Sequence, residues 1–276
     1  MMMSVEKQIG KIGLIAGYGS FPLELAATLV EQGYEVHAVA AREETSPEIE
    51  KLATSTCWLH VGQVGGMIKA LKAAGVDRAI MAGKVQKLHL FRNFRPDFLA
   101  IRTLALLPDR RDDTILTAIA DLLTAQGITL NSQIDYAGAM MADRGFMCGP
   151  KPDKRAYHDI DFGLVHAKGV AALDIGQVVI VQDRSVLAVE AIEGTDAAIL
   201  RGGGLGSGRA VVVKVAKPNQ DFRFDVPAVG PDTLSRMSDA GCKVLAVEAG
   251  KTIILERAKF EKIAESCQVT VVGVDG

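Results

Sequence analysis

Residues 11–22, KIGLIAGYGSFP, decide the fold of the first half of this 276-residue chain. The first six are an apolar run of strand length, and a glycine turn ends it. Residues 23–32 then place apolar side chains at helical spacing and stop at Gly33, a residue suited to the left-handed position past a helix end. Strand, glycine turn and helix in that order open a parallel sheet. The pattern repeats outward. Residues 35–40 (EVHAVA), 56–61 and 78–82 (RAIMA) read as further strands, and residues 63–74, ended by Gly75, as a helix. Two more helices are expected, near 96–108 and from Asp112 to Gly127, with a short strand at 128–130. Residues 1–134 are therefore expected to form a Rossmann-like, doubly wound, mostly parallel α/β domain.

The chain then changes style. Residues 135–152 hold Gly138, Gly145, Gly149, Pro150 and Pro152, the composition of a linker or hinge. Residues 153–276 read as a second, mixed α/β domain that begins with an apolar helix near 160–173. Residues 177–182 and 186–191 flank Asp183, Arg184 and Ser185 as a hairpin. VVVKVA (211–216) reads as a strand and residues 231–240 as a helix. KVLAVEAG (243–250) and KTIILE (251–256) look like a strand pair. A helix ending at Cys267 and the strand VTVVGV (269–274) complete the chain.

Composition removes several function classes. Lys and Arg number 31 against 33 Asp and Glu, a net charge of −2, so bulk positive charge cannot drive nucleic-acid binding. Aromatic residues make up only 5%, too few for a base-stacking platform. Cys57, Cys148, Cys242 and Cys267 form no CxxC pair, which fits reduced, mostly buried thiols. Residues 1–7 lack a leader pattern, and no apolar run reaches about 18 residues. The expectation is a cytoplasmic protein whose contact with the inner membrane, where there is one, is peripheral. A homo-oligomer is compatible with these features.

Several motifs carry chemistry. Gly17, Tyr18 and Gly19 follow the first strand, where backbone amides at a helix start suit a phosphate. The dinucleotide fingerprint is incomplete, since Pro22 stands at its third glycine and the second strand ends Ala40, Ala41, Arg42 without an acid. Lys84 follows the fourth strand, placed either to meet a phosphate or to sit in solvent. Asp112 and Asp113 read mainly as compensation of a helix dipole, with metal binding as the alternative. Glu190, Glu193 and Asp196 in VEAIEGTD offer hard oxygen ligands for Mg²⁺, against a helix cap by Thr195. Gly202, Gly203, Gly204, Gly206 and Gly208 suggest an anion nest, a flexible lid or a plain surface loop. His37, His60, His89, His158 and His166 show no metal-ligand spacing.

Residues 214–230, KVAKPNQDFRFDVPAVG, are the most informative. Lys214, Lys217 and Arg223 are the cations that a diphosphate needs, with Gln220, Asp221 and Asp225 among them. Hydrolysis of a phosphoanhydride needs charge neutralisation, a metal and an oriented water, and this stretch holds residue types for all three. IAGYGSFP, the Ala82–Gly83–Lys84 triplet, LAVEAIEGTDAAI and this last stretch together resemble the LpxI family of UDP-2,3-diacylglucosamine pyrophosphatases, over nearly the whole chain. The last two motifs are the specific ones. The resemblance implies two domains with the substrate held between them. It also implies Mg²⁺-dependent attack of water on the β-phosphate, UMP and 2,3-diacylglucosamine 1-phosphate (lipid X) as products, and Asp225 as the essential acid. Glu190, Asp196 and Asp225 are the candidate metal ligands. Gly17, Tyr18, Gly19, Lys84, Lys214, Lys217, Gln220 and Arg223 are the candidate substrate contacts. Rival readings are another class of sugar-nucleotide enzyme and a non-catalytic lipid carrier, neither of which releases UMP.

Overall fold

The computed structural model describes residues 10–86, 94–109 and 111–276; His89 and residues 1–7 lie outside them. The chain divides into two compact units, one ending at Tyr136 and the other spanning Ala137–Gly276. Among the described residues no helix is long and apolar enough to cross a membrane.

The first unit is built on a five-stranded sheet of order β3-β2-β1-β4-β5. Its strands are β1 (Lys11–Ala16), β2 (Glu35–Ala41), β3 (Ser55–Leu59), β4 (Arg78–Ala82) and β5 (Thr129–Leu130), all parallel. The helices between them are α1 (Phe21–Glu31), α2 (Ile49–Leu52), α3 (Val64–Ala74), α4 (Phe98–Leu106) and α5 (Asp112–Ala125). Alternation along β1 assigns its two faces. Ile12, Leu14 and Ala16 pack with Leu25 and Leu29 of α1 and Ile49 of α2. Gly13 faces the other way, where an added Cβ would lie 2.6 Å from Leu71 of α3. Ile12 and Leu14 are wholly buried, each stabilising the fold by about 1.5–3 kcal/mol.

One carboxylate caps two helices here. Asp97 Oδ1 accepts the Ala100 N–H of α4 at 2.9 Å, while Oδ2 accepts the Gly65 and Gly66 N–H groups of α3 at 2.7 and 3.2 Å. Removing a single cap typically costs about 1 kcal/mol. Asp97→Ala is therefore expected to destabilise the first unit by about 2 kcal/mol, read as a lower denaturant midpoint. A loss under about 0.5 kcal/mol, the range of an ordinary surface change, would refute the double cap.

The second unit carries a six-stranded mixed sheet of order β6-β13-β11-β9-β7-β8. Its strands are β6 (Gly145–Cys148), β7 (Val178–Gln182), β8 (Ser185–Val189), β9 (Ala210–Lys214), β11 (Cys242–Glu248) and β13 (Thr270–Val274). β9, β11 and β13 run parallel, while β6, β7 and β8 are antiparallel to their neighbours. Helix α6 (Lys154–Ala172) covers one face, with Ile160, Ala167 and Ala171 against Val179, Val211 and Val213. Helices α7 (Thr195–Leu205), α8 (Pro231–Asp239) and α9 (Arg257–Ser266) cover the other, with Ile199, Leu234, Met237 and Phe260 against Val212, Leu245 and Val271. The β7–β8 hairpin turns at Asp183 and Arg184, both at positive φ (49° and 55°), as the sequence suggested. Their N–H groups are held by the buried Asp159 carboxylate of α6, at 2.9 and 2.7 Å.

Three expectations change. The glycine-dense stretch is neither a lid nor a nest at its start, because Gly202, Gly203 and Gly204 lie inside α7. KVLAVEAG and KTIILE do not pair: β11 lies between β9 and β13, and β12 (Ile253–Ile254) instead pairs in parallel with β10 (Ala228–Val229) in a separate two-stranded sheet. Within residues 135–152, read as a linker, Gly145–Cys148 is a paired strand of the second sheet.

Candidate active site

In the first unit the strand order turns back between β1 and β4, the place where open α/β sheets bind ligands. The loops leaving these two strands are stitched together. Gly17 N–H donates to Ala82 O at 2.8 Å, Tyr18 N–H to Lys84 O at 2.7 Å, and Lys84 N–H to Tyr18 O at 3.0 Å. Glycine permits this approach, since a Cβ on Gly17 would sit 2.6 Å from Lys84 O. A Cβ on Gly83, whose φ is +88°, would sit 2.7 Å from Tyr18 O. The amides of Gly17, Tyr18 and Lys84 are thus committed to the backbone. Those of Gly19, Ser20 and Phe21 have no partner among the described residues, and they stand at the positive end of α1. Of Gly17, Tyr18 and Gly19, the expected phosphate contacts, only Gly19 keeps an amide free for an anion, together with Ser20 and Phe21. The Tyr18 ring and the Lys84 side chain are exposed beside it.

Glu44 escaped the sequence reading. It lies three residues past the end of β2, yet it is buried, and its carboxylate accepts the Gln86 N–H at 3.1 Å. It ties the loop after β2 to the loop after β4. Beside it the Thr45 hydroxyl donates to Ala16 O at 2.6 Å, at the exit of β1. The available signal was the acid pair Glu43–Glu44, one residue (Arg42) beyond an apolar strand.

In the second unit, residues 214–225 leave β9 at the sheet end where the parallel strands β11 and β13 also finish. Gln220 braces this loop. Its Oε1 accepts the Lys217 N–H at 3.1 Å, and its Nε2 donates to Asp225 O at 3.1 Å and Asp225 Oδ2 at 2.9 Å. Asp225 N–H reaches Asp221 O at 3.1 Å. Asp225 is exposed, and its Oδ1 has no partner among the described residues. The cations of the loop are engaged. Lys214 Nζ donates to Ala228 O at 2.9 Å, and Lys217 pairs with Asp174 at 2.5 Å. Arg223 grips Asp221 with both Nε and Nη2, which holds the Asp221 carboxyl below its usual range despite partial burial, and lies over the Phe224 ring. A diphosphate must therefore compete with Asp174 and Asp221 for two of these cations.

The VEAIEGTD acids take other roles. Glu190 Oε1 accepts the Thr195 hydroxyl at 2.6 Å, and Oε2 accepts the Gln177 N–H at 3.0 Å. Glu193 pairs with Arg201 at 2.5 Å, and Asp196 sits in the first turn of α7. Among the described residues no three Asp, Glu, His or Cys side chains come together as a metal site. The expected trio of Glu190, Asp196 and Asp225 is not gathered, because Glu190 is consumed in fastening the start of α7 to the start of β7. Mg²⁺ nevertheless binds often through one or two carboxylates plus substrate phosphates. Asp225, with a bare Oδ1, fits that single-carboxylate role; Glu190, with both oxygens satisfied, does not. Asp112 and Asp113 lie in the first turn of α5, as their dipole reading requires. Burial pushes the thiols of Cys148 and Cys242 up to about 11, which marks them as inert.

Both units match one family. Residues 11–140 match the LpxI N-terminal domain, and residues 143–272 match the LpxI C-terminal domain. The chain belongs to the LpxI family. The UDP-2,3-diacylglucosamine pyrophosphatase LpxI of Caulobacter vibrioides is 33% identical to it over 283 residues, covering 96% of this chain and 98% of that protein. Two solved structures that it resembles are much more distant from this LpxI-family chain. The biotin carboxylase domain of Hydrogenobacter thermophilus 2-oxoglutarate carboxylase aligns over 64% of this chain and 36% of its own, with 16% identity and a TM-score of 0.27. The biotin carboxylase of Campylobacter jejuni aligns over 86% and 43%, with 14% identity and a TM-score of 0.25. The chain spans less than half of either structure, and likeness at that level carries no argument about this LpxI member.

Proposed function

We propose that this chain hydrolyses the pyrophosphate of UDP-2,3-diacylglucosamine to UMP and 2,3-diacylglucosamine 1-phosphate, a step of lipid A biosynthesis. The observation that carries this reading is end-to-end membership of the LpxI family, with a UDP-2,3-diacylglucosamine pyrophosphatase 33% identical over 96% of the chain. The residues supply a consistent chemistry. Asp225, braced by Gln220, presents a free carboxylate oxygen that orients the attacking water or holds Mg²⁺. Lys214, Lys217 and Arg223 stand on the same short loop and neutralise the diphosphate, Lys217 and Arg223 by exchanging Asp174 and Asp221 for phosphate oxygens. Asp225 would hold Mg²⁺, which when bound would supply Lewis-acid stabilisation of the charge on the diphosphate. The substrate carries acyl chains, so the enzyme works at the cytoplasmic face of the inner membrane by peripheral contact.

Hydrolysis in ¹⁸O-labelled water, with Mg²⁺ present, tests the site of attack. Label is expected in lipid X and absent from UMP, with turnover stopped by EDTA. Label in UMP would retain the hydrolase and move the attack to the α-phosphate. Folded protein that releases no UMP would leave a lipid carrier as the better description.

A further inference from the structure

The carboxylate that holds the catalytic loop to the sheet is not in the loop. Glu248 ends β11, and it is fully buried. Its Oε2 accepts the Lys168 ammonium at 2.6 Å and the Ala216 N–H at 2.9 Å, while Oε1 accepts the Lys251 ammonium at 2.5 Å. Three pieces of chain meet on it: Lys168 from α6, Lys251 from the turn after β11, and Ala216 just past β9. A buried carboxylate is costly unless its lone pairs are filled by good donors. Burial pushes this carboxyl upward, but the two ammonium groups and the amide outweigh burial and hold it below the ordinary carboxylate range.

Ala216 is the last residue before Lys217, whose N–H is taken by Gln220, and Gln220 in turn holds Asp225. A continuous run of bonds therefore leads from Glu248 to Asp225. We infer that Glu248 is a positioning residue for the hydrolysis: by fixing the Ala216 amide and drawing in Lys168 and Lys251, it sets where the 217–225 loop leaves the sheet and where Asp225 stands. This assignment rests on the pyrophosphatase reading above. Glu248, fully buried on Lys168, Lys251 and the Ala216 amide, acts through the loop.

Glu248→Gln keeps the size and one acceptor but turns an amide NH₂ group toward the lysines. In the full chain, with UDP-2,3-diacylglucosamine and Mg²⁺, kcat is expected to fall about a hundredfold with KM changed far less, as for displacement of a reacting group by about 1 Å. Hydrogen exchange is expected to accelerate in residues 216–225 and to stay unchanged in the first unit. Lys168→Gln, at a partly exposed side chain, is expected to show the same two changes in smaller degree, and it decides the matter should Glu248→Gln not fold. A folded variant with wild-type kcat, or with wild-type exchange in 216–225, overturns the assignment. So does exchange raised evenly across the second unit, which would make Glu248 a general stabiliser. Wild-type protein that releases no UMP would sink the hydrolase reading instead, and the exchange comparison would still decide whether Glu248 holds the loop.

Discussion

Asp225→Asn is expected to lower kcat about a thousandfold while leaving stability within about 0.5 kcal/mol of wild type. The stability half follows from exposure: among the described residues the carboxylate's hydrogen bond is to the Gln220 side-chain amide, at 2.9 Å, and an asparagine oxygen can accept that same bond. The activity half follows from charge. The amide cannot take a proton from water at neutral pH, and it is a poor ligand for Mg²⁺ beside a carboxylate. Asp225→Ala adds the loss of the Gln220 bond and is expected to be no more active. Gln220→Ala is informative beside it, since it frees Asp225 without removing its charge, and a smaller loss is expected. Steady-state rates of UMP release from the three variants check the order. An Asp225→Asn enzyme within tenfold of wild type would remove the charge at Asp225 from the reaction, and the proposed chemistry of the loop with it.

The second large effect concerns neighbouring glycines with opposite expected signs. A Cβ on Gly203 would lie 2.6 Å from the Ala240 Cβ and closer still to the Ala240 carbonyl, at the end of α8. That carbonyl is backbone and cannot step aside. Alanine is the better helix former by about 1 kcal/mol, but overpacking against backbone this close costs about 3 kcal/mol, the upper end of the usual range. Gly203→Ala is therefore expected to destabilise by about 2 kcal/mol net. Gly204→Ala, one residue on, meets nothing within 4 Å and is exposed. There the propensity gain stands alone, and stability is expected to rise by about 0.5–1 kcal/mol. Denaturant melts of the two variants settle it. Equal shifts of one sign would mean that the close approach of α7 to α8 is not what the glycines serve.

These glycines also show where reading a sequence stops. Local pattern was sufficient for β1 and β4, whose limits at 11–16 and 78–82 match the structure, because an apolar run bounded by glycine leaves few alternatives. The hairpin at Asp183 and Arg184 was legible because a short polar stretch separates two apolar runs. The run Gly202–Gly203–Gly204 looked like a loop because glycine is a poor helix former. What requires glycine at 203 is a neighbour 37 positions away in sequence, Ala240, whose closeness no local pattern encodes. KTIILE has the composition of a strand beside KVLAVEAG, yet its partner is Ala228–Val229, again a choice made by distant chain.

The site divides along the same line. That Asp225, Gln220, Lys217 and Lys214 lie near one another was readable, because they share one short polar stretch at the end of an apolar strand. Glu190 and Asp196 suggested a metal ligand set by proximity in sequence, and only coordinates show Glu190 occupied by Thr195 and Gln177. Glu44 and Glu248 went unnoticed because the meaning of each comes from what surrounds it: a backbone amide from another strand exit in one case, two lysines and an amide in the other.

The strand order of the second sheet has a consequence for synthesis. β6 is the first strand of that unit and β13 the last, and they lie side by side, with Phe146 opposite Val272 and Gly145 opposite Gly273. β13 also separates β6 from β11, so the sheet has a gap in its interior until β13 arrives. The first unit's sheet is made of β1–β5, all before Tyr136, and can form while translation continues. The second cannot close before Thr270–Val274 has left the ribosome, and until then β6 and β11 each expose an unpaired edge to other nascent chains.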